Sequence, residues 1–211
     1  MIHDPDTLAF LRDRARKQIR TRMRALRRAH PAAALAERSA RIVERLGQSE
    51  TFRKARSIAL FWPLSSEVDL RSLDARARAE SKAVYYPVMD PTASGFSTGF
   101  ALSVDANELR VRSSRFMEPP PSAPRALRSD IDLVVVPALA VAADGNRLGY
   151  GAGFYDATLP DFIPPATSVI VAYDFQLLAE IPALPHDVPC HMIVTDARTL
   201  QATPAPALED S

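Results

Sequence analysis

The feature that most constrains this chain is a cluster of glycines placed behind its most strand-like segment. Residues 131–136 (IDLVVV) are dominated by β-branched side chains with little polar alternation, the pattern of a central strand buried on both faces. The chain has seven glycines, and four of them (Gly145, Gly149, Gly151, Gly153) fall within nine residues after that strand and before a helical stretch at 154–159. Glycines at alternate positions let the backbone take positive φ and approach a ligand unobstructed by Cβ atoms. Successive N–H groups can then converge on an anion at a helix N-terminus. Arg147 adds a planar, permanent positive charge suited to phosphate oxygens. Asp156, three residues past the last glycine, stands where a carboxylate reaches Mg²⁺ beside those phosphates. On local grounds the same residues also fit a turn that closes a strand–helix junction, with Asp156 as a first-turn aspartate on the helix dipole. No Gly-Lys-Ser/Thr follows, so this is not a P-loop. GYGAG is GxGxG rather than GxGxxG, so it is not a dinucleotide fingerprint either.

Around the loop the chain alternates strand and helix. Residues 57–62 (SIALFW) and 83–88 (AVYYPV) read as strands joined by a helical stretch at 68–79, which implies a parallel pair with a crossover. Residues 167–173 (TSVIVAY) and 191–194 (HMIV) read as two more, and 96–102 as a weaker one, with Pro119, Pro120, Pro121 and Pro124 making the next stretch an extended connection. Residues 6–29 read as a helix with Ile19, Met23 and Leu26 on one stripe, followed after Pro31 by a second helix to Gly47 whose apolar side is Leu35, Ile42, Val43 and Leu46. The expected fold is a single α/β domain over residues 1–200: a mixed, mostly parallel sheet of four to six strands flanked by helices, with an N-terminal basic helical hairpin. Residues 201–211, carrying Pro204 and Pro206 without periodicity, read as a disordered tail.

Charge is uneven. Residues 11–30 hold nine basic side chains (Arg12, Arg14, Arg16, Lys17, Arg20, Arg22, Arg24, Arg27, Arg28) against Asp13, which leaves 17 basic and 24 acidic residues elsewhere. A basic arm on an acidic body implies an anionic partner at that end. With 47% hydrophobic residues the chain is no disordered protein. No stretch approaches the roughly 20 apolar residues of a membrane span, and no signal-peptide pattern opens it, so a cytoplasmic location and no membrane partner are expected. The single cysteine, Cys190, reads as a buried thiol.

Residues 144–156 (DGNRLGYGAGFYD) closely resemble the signature of the 5-formyltetrahydrofolate cyclo-ligase family, also called methenyltetrahydrofolate synthetases. The likeness extends to residues 131–137 (IDLVVVP), 116–119 (FMEP), 67–69 (EVD) and 186–189 (HDVP), in blocks that together span about 16 to 196. The resemblance implies a single α/β domain and an ATP- and Mg²⁺-dependent closure of 5-formyltetrahydrofolate to 5,10-methenyltetrahydrofolate, giving ADP and phosphate. Phosphorylation turns the formyl oxygen into a leaving group before N10 attacks.

Carried over by position, Arg147, Leu148, Gly149, Tyr150, Gly151, Ala152, Gly153, Phe154 and Tyr155 would hold ATP, with Arg147 on the phosphates. Tyr150, Gly151, Ala152, Gly153 and Phe154 would also touch folate, together with Glu67 and, as an apolar wall, Trp62. Asp156 and Asp187 would be the metal carboxylates, and Arg147, Tyr150 and Asp156 the catalytic group. The family's Lys-x-x-x-Arg pair for ATP falls on Arg16 and Arg20, with Lys17 as an alternative to Arg16. The remaining arginines (Arg12, Arg14, Arg22, Arg24, Arg27, Arg28) read as a solvated face. The family pattern is departed from at Arg16 (for lysine), Leu70 (for threonine) and Ala152 (for glycine). The expected state is a monomer without a nucleic-acid partner. Rival readings are a relative that binds nucleotide or folate without this activity, and a nucleic-acid-binding module built on the basic helix.

Overall fold

The structure, a computed structural model, describes residues 4–64, 66–93, 95–112 and 116–203. Helix α1 (Pro5–Ala29) starts at Asp4, whose carboxylate accepts the Thr7 N–H at 3.1 Å. Helix α2 (Ala32–Gln48) and the short α3 (Glu50–Lys54) follow. Next come β1 (Ser57–Ala59), α4 (Arg71–Ala79), β2 (Ala83–Thr92), β3 (Gly95–Leu102), and the two-residue strands β4 (Arg110–Val111) and β5 (Met117–Glu118). The second half holds β6 (Leu133–Pro137), β7 (Ala140–Ala142), β8 (Arg147–Leu148), α5 (Phe154–Thr158), β9 (Thr167–Val171), β10 (Leu177–Leu178), β11 (Met192–Val194) and β12 (Thr199–Gln201).

The main sheet has seven strands in the order β12-β11-β9-β6-β1-β2-β3; its five inner strands are parallel and both edges antiparallel. This is the mixed, mostly parallel architecture expected, with one strand beyond the upper count. The reason for the apolar inner strands is that both faces are covered. Leu133 and Val135 of β6 join Ile58, Val169 and Val171 in one core cluster beneath α2, while Val134 and Val136 join Ala59, Ile170, Phe154 and Phe162 in another. Burying each such Val or Ile contributes roughly 1.5–3 kcal/mol.

Strand β1 is shorter than the apolar run 57–62. Leu60 N–H still donates to the Tyr85 carbonyl, after which the chain peels away ahead of Pro63. The helix expected from residue 68 begins only at Arg71, because Val68 and Leu70 are used as buried core residues of an irregular segment. Gln201, expected in a disordered tail, instead pairs with Met192 in the edge strand β12; residues 204–211 lie outside those described. The two N-terminal helices are present, but across His30 and Pro31 their apolar faces diverge. The Leu35, Ile42, Val43 and Leu46 stripe of α2 packs on the main sheet. Ile19, Met23 and Leu26 of α1 pack on Leu139, Ala140, Ala142, Leu148 and Ile181, around a second, three-stranded sheet β10-β7-β8. Among the described residues no helix is long and apolar enough to cross a membrane.

Candidate active site

The sheet reverses its direction of growth between β1 and β6. The chain lays β2 and β3 on one side of β1, then returns to build β6, β9 and β11 on the other. Such a switch leaves a crevice at the carboxyl ends of the parallel strands, where ligands of open α/β sheets bind. Trp62 and Glu67 follow β1 there, the glycine loop lies beyond β6, and Tyr173 lies just past β9. The Tyr173 hydroxyl ties these segments together by donating to the Glu67 carbonyl at 2.9 Å.

Helix α1 crosses this crevice with a stripe of arginines at i, i+4, i+8 and i+11. Arg16 donates to both Asp187 oxygens at 2.5 and 3.1 Å and to the Pro182 carbonyl at 2.9 Å. Arg20 Nε donates to the Gly149 carbonyl at 3.1 Å, and Arg24 Nη2 to the Tyr150 carbonyl at 3.3 Å. Arg27 Nη2 donates to the Tyr150 hydroxyl. Lys17 is exposed, so Arg16 occupies the inward register. Partial burial, then the charge of Arg16, lowers the Arg20 guanidinium below its usual value, as expected of crowded cations.

In the loop, Gly151 (φ +108°) and Gly153 (φ +68°) hold conformations that favour glycine, and a Cβ at Gly149 would meet nothing within 4 Å. Ala152 keeps an ordinary φ, so its departure from glycine causes no strain. Gly145 serves the hairpin rather than the cradle: at φ +87° its backbone approaches the Cys190 carbonyl so closely that a Cβ would stand 2.3 Å away. Helix α5 has only five residues, so its dipole is weak.

Arg147 is turned inward. Its side chain is 4% exposed and engaged with the Val188 carbonyl at 2.5 Å and Asp156 Oδ1 at 2.8 Å. The same Asp156 oxygen accepts the Val188 N–H at 3.1 Å, so Arg147 joins the loop to the 188–190 segment and is not a free phosphate arm. The direct phosphate role read from the sequence does not fit this packing. Cys190, 2% exposed as expected, lies beside it, its thiol pushed up by burial.

Asp187 also departs from expectation. Both its oxygens are taken, by Arg16 and by the Leu184 N–H at 2.8 Å. Burial alone would raise its carboxyl; Arg16 and the Leu184 N–H reverse this and hold it below the ordinary value. Among the described residues no group of three or more His, Cys, Asp or Glu side chains could hold a metal ion. Of the two expected metal carboxylates, Asp156 fits the role better, because its two hydrogen bonds converge on Oδ1. Mg²⁺ commonly takes one or two protein carboxylates, with phosphate and water completing its shell.

Glu67 is buried. Burial, the largest influence, pushes its carboxyl above the ordinary value, opposed by the Leu64 N–H at 2.8 Å, the Arg27 charge and the Tyr150 hydroxyl. Two guanidinium groups lie over the Tyr150 ring, Arg24 at 5.4 Å and Arg27 at 5.6 Å from its centre. Burial and the Glu67 charge raise its phenol, which therefore remains a hydrogen-bond donor. The Tyr155 hydroxyl is buried and has no hydrogen-bond partner among the described residues. Burial raises its phenol first, then the Glu67 charge, against the opposing charge of Arg147. An orphaned donor between the glutamate and the arginine is what a site completed by its ligand would contain. Trp62 packs against Tyr86 at 6.3 Å, half-buried at the rim of the core.

The sequence profile of the 5-formyltetrahydrofolate cyclo-ligase family matches residues 12–196. The chain belongs to that family. It is 31% identical over 204 residues to a 5-formyltetrahydrofolate cyclo-ligase of Mycolicibacterium smegmatis, covering 90% of this chain and 97% of the relative. It is 31% identical over 149 residues to the Escherichia coli K12 protein of the same name, covering 68% and 80%. Among solved structures it is similar to a 5,10-methenyltetrahydrofolate synthetase of Aquifex aeolicus, with TM-score 0.76 and 26% identity over 92% of this chain and 96% of that one.

As a member of the cyclo-ligase family, the chain brings together Arg16, Arg20, Glu67, Arg147, Tyr150, Asp156 and Asp187, which sequence reading had singled out from four separate segments. That reading grouped Arg24 and Arg27 with the solvated arginines, yet both reach Tyr150. Their spacing from Arg16 and Arg20 carried the signal, since i+8 and i+11 continue one helix face. Leu70, where the cyclo-ligase pattern has threonine, is 1% exposed and contributes to the core.

Proposed function

We propose that this chain closes 5-formyltetrahydrofolate to 5,10-methenyltetrahydrofolate at the expense of ATP. The observation that carries the reading is the convergence, at the switch point, of an open glycine loop, the α1 arginines and a buried glutamate. The first two suit a polyphosphate and the third the N–H edge of a pterin. The formyl oxygen attacks the γ-phosphorus and ADP departs. N10 then attacks the activated carbon, loses its proton, and phosphate leaves with the former formyl oxygen.

In this reading Arg20 and Arg24 face the phosphates and the loop backbone from Gly149 to Tyr155 lines them. Glu67, Tyr150 and Phe154 meet the folate, with Trp62 beside them. Mg²⁺, when bound, would neutralise phosphate charge, and Asp156 is the residue placed to hold it. Arg147 orients Asp156, and Asp187 fixes Arg16. We retain the expected monomeric state and cytoplasmic location as part of the proposal. The nucleic-acid alternative loses ground because four of the nine basic residues on α1 face the crevice.

The deciding experiment mixes purified protein with ATP, Mg²⁺ and 5-formyltetrahydrofolate and follows methenyltetrahydrofolate by absorbance and ADP by a coupled assay. Equimolar formation of both is the expected result. A folded protein that makes neither would overturn the proposal.

A further inference from the structure

The geometry points to Arg27 as a positioning residue that locks Glu67 and Tyr150 together at the folate end of the site. This inference rests on the folate reading just given. Arg27 is 3% exposed, and a guanidinium this deep persists only with partners. Its Nε donates to Ser66 Oγ at 3.3 Å and its Nη2 to the Tyr150 hydroxyl. Ser66 sits at φ 65°, a left-handed conformation that a serine adopts only when its surroundings hold it there. That turn sets the direction of the next residue, Glu67, whose carboxylate faces both the Arg27 charge and the Tyr150 hydroxyl.

One planar fork therefore holds the turn before Glu67 and the exposed tip of the glycine loop in fixed relation. Arg16 and Arg20, about three and two turns earlier on the same helix, hold Asp187 and the loop backbone instead. The helix thus divides its arginines between the two substrates, with Arg27 on the folate side.

The test is steady-state kinetics on Arg27→Gln, Tyr150→Phe, the double variant and Arg27→Lys, with KM measured separately for 5-formyltetrahydrofolate and ATP. Losing a buried charged hydrogen bond predicts a folate KM raised about tenfold or more in Arg27→Gln. The ATP KM should move less than about twofold. If Arg27 acts through Tyr150, the double variant should be no worse than Arg27→Gln alone. Lysine, which keeps the charge but not the fork, should restore part of the loss.

Equal rises in both KM values, or effects that multiply in the double variant, would overturn the inference. If the wild-type protein forms no methenyl product, the cyclo-ligase proposal fails instead. Calorimetric titration of 5-formyltetrahydrofolate into the same variants then decides Arg27 alone: weakened binding in Arg27→Gln supports it and unchanged binding refutes it. Should Arg27→Gln not fold, Arg27→Lys with Tyr150→Phe provides the same cycle.

Discussion

Replacing Asp187 by asparagine tests whether this carboxylate is a clamp or a metal ligand. Its side chain is 5% exposed and that of Arg16 is 7%. The pair is completed by the Pro182 carbonyl on one side and the Leu184 N–H on the other. Asparagine preserves the shape and one acceptor but leaves the Arg16 charge buried without a counter-ion. Breaking a desolvated pair in this way costs about 3–5 kcal/mol. For a domain of this size that corresponds to a melting point lower by roughly 6–20 °C. Urea unfolding and thermal melts without added metal should show it.

The loss should be as large at pH 5 as at pH 7. A carboxyl lowered in the folded state contributes stability above its unfolded value of about 3.9, and that contribution disappears only as pH falls through the still lower folded value. Arg16→Met with Asp187→Leu, which removes both charges, should recover most of the stability. If Asp187→Asn stays within about 1 kcal/mol of wild type and instead weakens the Mg²⁺ dependence of turnover, the clamp is refuted and the metal role restored.

Further outcomes follow from the loop and its surroundings. Gly145→Ala, with its Cβ against the Cys190 carbonyl and a positive φ, should lose at least about 2 kcal/mol in a thermal melt. Gly149→Ala, facing open space, should melt within about 1 kcal/mol of wild type. It should nonetheless raise the ATP KM; an unchanged value would exclude the loop as a phosphate cradle. Tyr155→Phe removes a buried hydroxyl that has no partner among the described residues, so stability should be unchanged or higher while ligand affinity falls. Equal affinity would mean that the ligand never reaches that hydroxyl. Glu67 titrates above the ordinary carboxylate value, so its contribution to stability is present at low pH and lost as pH rises through the folded value. Glu67→Gln should therefore be more stable than wild type at neutral pH, with the gap closing toward about pH 4, and should bind folate less tightly.

The inner strands were legible because burial on both faces removes polar alternation, as in Val134, Val135 and Val136. The three-stranded sheet was not, since β8 and β10 have two residues each and exist only through pairing with β7. The ends of β1 and α4 were misplaced for a related reason. Val68 and Leu70 look helical in composition but are drawn into the core by an irregular segment. The glycine cradle could be inferred from spacing alone, whereas Glu67 and Asp187 stood out only through the family resemblance. Side-chain direction lay beyond reach: nothing in the order of residues says that Arg147 turns inward to Asp156, or that Arg16 meets a carboxylate 171 positions away.

That last separation has a consequence for biosynthesis. At typical elongation rates, roughly 10–30 s pass between the emergence of Arg16 and that of Asp187 from the ribosome. Throughout that interval α1 is a strongly basic helix whose apolar stripe lacks Ile181 and whose innermost arginine lacks its acid. A chain stopped short of the 182–187 segment would therefore have the glycine loop without the carboxylate that partners Arg16 of α1.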